Sequence, residues 1–177
     1  MKNSQKIALG SMMCALGMVF MCLGTVIPIA TFACPALTAV ALIPVMEECG
    51  NRYAMCVWAA TSALSLMFAP DKEAALLYLF LGYYPVLKPR FDRLRLTAAR
   101  VLAKLALFDI AAGAMLACAV FLLGMQSILR EYMEMSMWLI VVFVVLCNVT
   151  MLMYDRLYGL LKLVYRLKLR KKVFRIR

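Results

Sequence analysis

The chain has 177 residues, of which 66% are hydrophobic, and it carries a formal net charge of +11 without any histidine. Soluble domains are about half apolar, so this composition excludes an ordinary globular domain. The length allows about six membrane spans with short loops and leaves no room for a separate soluble domain. The basic residues lie between and after apolar segments, which indicates membrane topology and not nucleic-acid binding.

The first long apolar segment runs from Ile7 to Met46 and contains no charged side chain over 40 residues. As one helix it would be about 60 Å long, whereas the hydrocarbon core of a bilayer is about 30 Å thick. The segment must therefore fold back on itself, with a short connection near Pro28 and Pro35. It predicts two spans, at 7–27 and 34–47.

Four more apolar segments follow, at 53–69, 73–88, 101–124 and 136–156. The fourth span, 73–88, contains only 14 uncharged residues, Ala74 to Leu87, which is short for a full crossing, and Gly82 and Pro85 predict a kink near its end. The sequence therefore predicts an all-α integral membrane protein with about six transmembrane helices. We expect a six-helix domain over 1–156 and a basic tail over 157–177.

The distribution of basic residues predicts the orientation of the chain. Cytoplasmic loops of membrane proteins are enriched in Lys and Arg, and six basic residues follow the fourth span while nine follow the sixth. With both termini in the cytoplasm, eighteen of the twenty basic residues lie on that side, and only Lys72 and Arg130 face outward. We expect a multi-pass protein of a bacterial-type cell membrane.

The basic tail has apolar residues at helical spacing, among them Leu157, Leu160, Leu161 and Val164. Such a pattern is typical of an interfacial helix that binds anionic lipid, and it also allows a specific docking site. The first option needs no protein partner.

The first span carries a stripe of small residues. Helices in lipid associate where small side chains let their backbones approach, so this stripe should face another helix. That helix could belong to this chain or to a partner subunit. The stripe consists of Gly10, Ser11, Cys14, Ala15 and Gly17.

Asp109 is the only carboxylate well inside a predicted span, and Asn148 in the sixth span lies at a similar depth. A charged residue there is unfavourable by about 2.5 to 3.5 kcal/mol on insertion scales, so Asp109 should face the interior of the helix bundle and be paired or protonated. We expect Asn148 to be its partner, either at a ligand or proton site or in a structural hydrogen bond. Glu47 and Glu48 end the second span, where they should pair with Arg52 or with the basic residues after the fourth span.

The features of a catalytic centre are missing from the sequence. It has no histidine, no group of carboxylates within a span and no GxxxxGK[ST] loop, and its seven cysteines form no CxxC pair. The cysteines are interpreted as small hydrophobic residues. We therefore expect no enzymatic activity, no metal and no cofactor, and any ATP-driven role would need separate ATPase subunits.

The length, the six predicted spans, the short loops and the segment from Lys6 to Ala15, KIALGSMMCA, together resemble the substrate-binding S subunits of energy-coupling factor (ECF) vitamin transporters. Those subunits carry an Ala-xxx-Ala motif in the first helix that contacts a transmembrane coupling subunit. The matching positions here are Ser11 and Ala15, with Gly10 and Cys14 beside them. Serine departs from the motif but keeps its small size.

The resemblance implies capture of a small micronutrient on the outer side, followed by release driven by a coupling subunit and two ATPase subunits. Lys72 and Arg130, as the outward cations, suggest an anionic ligand. The alternative is an accessory or assembly membrane protein that transports nothing. The candidate ligand contacts are Asp71, Lys72, Glu73, Tyr78, Asp109, Arg130, Glu131, Tyr132, Glu134, Trp138 and Asn148.

Overall fold

A computed structural model describes residues 3–26, 33–92, 97–121, 124 and 136–169. All regular secondary structure in these ranges is helical. The helices are α1 (Asn3–Val26), α2 (Ala33–Val40), α3 (Leu42–Cys49), α4 (Asn51–Phe68), α5 (Lys72–Leu81), α6 (Tyr84–Phe91), α7 (Thr97–Phe121) and α8 (Met137–Val164), and a π-helical turn, Tyr165–Leu169, follows α8.

Three of the described helices are long and apolar enough to cross a membrane. The stretches are Asn3–Gly24 in α1, Ala98–Phe121 in α7 and Met137–Leu167 in α8 and the turn after it. The prediction of an all-helical chain with membrane-length helices is confirmed to this extent. Six spans and cytoplasmic termini stay predictions.

Two of the predicted spans are each broken into a pair of short helices, and a proline accounts for each break. The span at 34–47 corresponds to α2 and α3, and the span at 73–88 corresponds to α5 and α6. Pro44 cannot donate to the carbonyl of Val40, where α2 ends, and Pro85 cannot donate to the carbonyl of Leu81, where α5 ends. The predicted kink near Pro85 is confirmed.

Two glycines meet backbone requirements in this part of the chain. Gly50 has a φ of 90° between α3 and α4, a conformation that residues with a Cβ rarely adopt. A Cβ on Gly82 would lie 2.5 Å from the carbonyl oxygen of Tyr78. The turn after α3 and the close approach at the end of α5 therefore both depend on glycine.

The first of two compact units comprises Met1–Arg90 and Tyr158–Arg177. In it α1 contacts α2 and α4, and α4 also contacts α3 and α5. Its largest core cluster brings residues of α3, α4 and α6 together with the end of α8. The cluster consists of Leu42, Ile43, Val45, Met46, Ala54, Val86, Tyr158 and Tyr165.

The end of α8 packs into this core, which differs from the separate interfacial helix that we expected after residue 156. α8 continues without a break to Val164. Tyr158 and Tyr165 are buried, and the Tyr158 hydroxyl lies 3.3 Å from the Met46 sulfur. Aromatic burial on one side of the helix explains why the segment docks on protein: tyrosine rings carry a large apolar area.

The second compact unit comprises Phe91–Leu157 and contains α7 with the first part of α8. Side-chain contacts link Lys104 to Asp155 and Asp109 to Asn148. Because the contact point advances along α7 while it moves back along α8, the two helices run antiparallel. Much of their surface is apolar and exposed, as expected for helices that face lipid.

Candidate functional site

The small residues of α1 divide between two faces, and one face packs inside the first unit. A Cβ on Gly10 would lie 3.0 Å from Val57, and a Cβ on Gly17 would lie 2.8 Å from Thr38. The Cys14 sulfur lies 3.2 Å from the Thr61 hydroxyl oxygen. Gly10, Cys14 and Gly17 therefore serve packing within this chain, against α2 and α4.

Ser11 and Ala15 lie on another face of α1 and are exposed. The Ser11 hydroxyl donates to the carbonyl of Ala8 on the same helix, at 3.1 Å. Met12 and Val19, which are also exposed, are 59% and 60% accessible. This face is apolar, with small side chains at the two positions that match the Ala-xxx-Ala motif.

A buried polar seam lies where α1 meets α2 and α4, and the sequence analysis missed it. The Thr38 hydroxyl donates to the carbonyl of Cys34 at 2.9 Å and lies 3.3 Å from that of Gly17. Thr61 and Ser65 donate to carbonyls one turn earlier in α4, at 2.8 and 2.7 Å. These bonds satisfy the hydroxyls locally, so the seam allows close packing without leaving donors unpaired.

Two of the candidate ligand contacts have structural partners at the start of α5. The Asp71 carboxylate accepts hydrogen bonds from the backbone N–H groups of Glu73 and Ala74, at 3.0 and 3.2 Å, and so caps the helix. The Lys72 ammonium donates to the carbonyl of Leu66, near the end of α4, at 2.8 Å. Both charged groups thereby fix the connection between α4 and α5.

The other two candidates of this region differ in exposure. Glu73 is exposed in the first turn of α5. Tyr78 is buried, and its carbonyl oxygen lies 3.5 Å from the Trp58 indole nitrogen. Glu73 is therefore accessible to a solute, whereas the Tyr78 ring is part of the packing.

Asp109 and Asn148 are partners, as the sequence analysis expected. The Asn148 amide donates to the Asp109 carboxylate at 3.1 Å and to the carbonyl of Val144 at 3.0 Å. The second bond orients the amide toward α7. Asp109 itself is exposed, which differs from the expectation that it faces the interior of the bundle. Among the described residues, the Asn148 amide is the donor to its carboxylate.

Trp138 lies in the first turn of α8 and is 75% exposed. An exposed indole at the end of an apolar helix suits the membrane interface, where one edge of the ring meets lipid and the other meets water. The remaining candidate contacts lie outside the described residues; they are Arg130, Glu131, Tyr132 and Glu134.

A second polar group missed by the sequence analysis surrounds Lys104. Its side chain is only 6% exposed, and its ammonium lies 2.8 Å from Asp92 and 3.0 Å from Asp155. The two carboxylates offset the charge of this buried ammonium. Each of the three residues alone looked like an ordinary charge near a membrane boundary.

Glu47 pairs differently from the sequence expectation. Its partners are Lys162, at 2.9 Å, and Arg166, which approaches with two nitrogens at 2.6 and 3.0 Å. The carboxylate side chain is 9% exposed. Sequence reasoning missed this cluster because the residues are more than 100 positions apart and the tail was expected to lie on lipid.

Cys49 lies at the end of α3, two residues after Glu47. Burial raises the pKa of its thiol, which keeps that side chain neutral.

The chain matches no protein-family model, and no curated protein or solved structure shows detectable similarity to it.

Proposed function

We propose that the protein is the membrane-embedded substrate-capture subunit of an ATP-driven ECF-type importer for a small micronutrient, with no catalytic activity of its own. The observation that carries the proposal is the division of α1 into two faces. Gly10, Cys14 and Gly17 are occupied by packing within the chain, whereas Ser11 and Ala15 are exposed.

The exposed face of α1 has the properties that a transmembrane partner needs. Small residues spaced four apart let two helix backbones approach closely, and in lipid this close packing drives association. Ser11 satisfies its hydroxyl on its own helix, so docking leaves no buried donor unpaired. A coupling subunit bound here would link the chain to its ATPase subunits.

The proposed ligand would be captured on the outer side of the membrane. Glu73 and Trp138 are exposed, each in its own compact unit, and the Trp138 indole N–H can donate to an anion. Lys72 and Arg130 are the outward cations of the predicted topology, and they favour an anionic ligand. Lys72 would have to exchange its bond to the Leu66 carbonyl for a bond to the ligand.

The hydrogen bond between Lys72 and the Leu66 carbonyl favours the second candidate function, an accessory or assembly protein that transports nothing. Asp71 caps α5 and Lys72 closes the end of α4, so structural roles account for both residues. In this alternative the exposed face of α1 binds the protein that is assembled or stabilised.

The experiment that separates the two functions is purification of the tagged chain from its native membrane in mild detergent. Co-purifying proteins and small molecules are identified by mass spectrometry. A transmembrane subunit recovered with two ATPases and a small solute supports the importer. A chain recovered with lipid only, or with an unrelated membrane protein, overturns it.

The exposed face is tested in the same experiment with Ala15→Leu, which blocks close helix approach. The matched control is Met12→Leu, which alters another exposed position of α1 without adding bulk to the small-residue pair. Loss of the coupling subunit with Ala15→Leu but not with Met12→Leu places the contact on this face. Equal recovery with both variants removes α1 from the proposal.

A further inference from the structure

We propose that Lys162 and Arg166 bind the phosphate of an anionic phospholipid and that Glu47 is the positioning residue that prepares them for it. The site lies where the end of α8 meets α3 within the first compact unit. It does not depend on the transport function, because it follows from the contacts of these three side chains.

The geometry holds two cations beside one carboxylate. The Arg166 guanidinium donates through Nε to one Glu47 oxygen and through Nη2 to the other, while the Lys162 ammonium lies 2.9 Å from the second oxygen. A bidentate arginine is fixed in orientation as well as position. The cluster carries one negative and two positive charges, so it keeps a net charge of +1.

Donors for a further anion remain on both cations. Arg166 uses two of its five N–H groups on Glu47, and Lys162 has two N–H groups beyond the one directed at the carboxylate. In the part of the chain that the structure describes, Glu47 is the acidic partner of both. Arg166 is 56% exposed, so its free edge is accessible to a headgroup.

The chemistry around the cations favours a lipid over a free anion. An apolar ridge follows the same helical segment, and its members are exposed. Leu163 lies three residues before Arg166, about one helical turn, so acyl chains can lie against the ridge while a phosphate meets the guanidinium. The ridge consists of Leu157, Leu160, Leu163, Val164 and Leu167.

Replacing Glu47 tests the proposal, because non-specific attraction by net charge and positioning by Glu47 predict opposite changes in lipid affinity. If the segment attracts lipid only through its net positive charge, replacing Glu47 with glutamine removes a negative charge, raises the net charge by one and strengthens binding. If Glu47 positions the cations, the same replacement releases the guanidinium and weakens binding, because an arginine held in place loses less freedom on binding phosphate.

The full-length protein is purified in mild detergent and titrated with dioleoylphosphatidylglycerol or dioleoylphosphatidylcholine, and bound lipid is counted by native mass spectrometry. The wild type should prefer phosphatidylglycerol. Arg166→Gln should lower that affinity about fivefold, the effect of one basic residue near an anionic headgroup. Glu47→Gln should also lower it, by about twofold or more. Glu48→Gln, the control with the same charge change one residue away, should leave it unchanged or raise it.

Phosphatidylglycerol affinity of Glu47→Gln equal to or above the wild-type value would overturn the positioning role. Arg166→Lys decides the matter if Glu47→Gln does not fold, since it keeps the charge and removes the two-pronged contact. Wild-type affinity in Arg166→Lys would contradict the proposal. Complete displacement of the lipid by inorganic phosphate at equal concentration would show that the site recognises a free anion, and would overturn the lipid assignment.

Discussion

Lys104 and Asp155 form an ion pair of 3.0 Å that joins α7 to α8, and Asp92 lies 2.8 Å from the same ammonium. The lysine side chain is 6% exposed, whereas those of Asp155 and Asp92 are 19% and 40% exposed, so the ammonium is the most shielded of the three charges. Without the ammonium, both carboxylates would lose this cation. The two helices are thereby fixed to each other near one end.

Replacing Lys104 with methionine should destabilise the protein by about 3 kcal/mol, because breaking a buried ion pair leaves the carboxylates without their cation. The methionine has a similar volume, so the loss reports charge and not packing. The measurement is thermal or denaturant-induced unfolding of the purified protein in detergent, followed by tryptophan fluorescence.

The double variant Lys104→Met with Asp155→Leu provides the control, since it removes the ammonium together with Asp155, the less exposed of its two carboxylate partners. It should recover part of the lost stability, as paired removal of buried ions does elsewhere. A single variant as stable as the wild type would mean that the three charges are screened by water or headgroups.

Variants of Asp109 and Asn148 distinguish a structural role of the Asp109 carboxylate from a functional one. Asp109→Asn removes the charge and keeps hydrogen-bonding atoms, so stability should be maintained or rise. Asn148→Leu should reduce stability by about 0.6 kcal/mol, the average for a hydrogen bond between membrane helices, because it removes the donor to Asp109. Both values come from reversible unfolding in the same detergent.

The same two variants show whether Asp109 does more than pack. Stable Asp109→Asn protein that no longer retains the co-purifying solute would assign the carboxylate to a ligand or proton site. Retention of the solute by both variants would leave Asp109 with a structural hydrogen bond only.

The helical segments were predictable from sequence because lipid requires long uncharged stretches, and these are visible without any knowledge of contacts. The breaks in the second and fourth predicted spans were less visible. Pro44 lies in the middle of an apolar segment, where length alone favours one continuous helix. Its missing N–H group breaks one helical hydrogen bond, and this is where α2 ends and α3 begins. Pro85 was recognisable because Gly82 precedes it.

The candidate site was predictable where one polar residue lies in an apolar span. Asp109 has few possible partners at its depth, so Asn148 could be named. The partners of Glu47 could not be named from the sequence, because charges near a membrane surface are numerous and Lys162 and Arg166 are far away in the chain. Tyr158 and Tyr165 bring Lys162 and Arg166 to Glu47, because the two tyrosines bury one side of the end of α8 against the core. The spacing of apolar and basic residues in the tail does not show which side is buried.

The predicted orientation can be tested with a membrane-impermeant maleimide on intact cells. Two exposed positions, Glu73 and Arg90, are replaced singly by cysteine in a variant whose seven native cysteines are changed to alanine or serine. Glu73→Cys should be labelled from outside, and Arg90→Cys should react only after the cells are permeabilised. Labelling of Arg90→Cys in intact cells would reverse the topology.

Gly17 and Gly113 provide a matched pair for testing how tightly α1 is packed. A Cβ at position 17 would lie 2.8 Å from Thr38 and 3.2 Å from Thr61, whereas a Cβ at position 113 meets nothing within 4 Å. Gly17→Ala should therefore destabilise the protein by about 2 kcal/mol through overpacking between helices. Gly113→Ala should be neutral, or stabilising by up to about 1 kcal/mol through its higher helix propensity.

Unfolding midpoints in detergent compare the two variants with the wild type. Equal midpoints for both would mean that α1 can move away from α2 and α4 at little cost, and the internal face of α1 would then be as available to a partner as the face that carries Ser11 and Ala15.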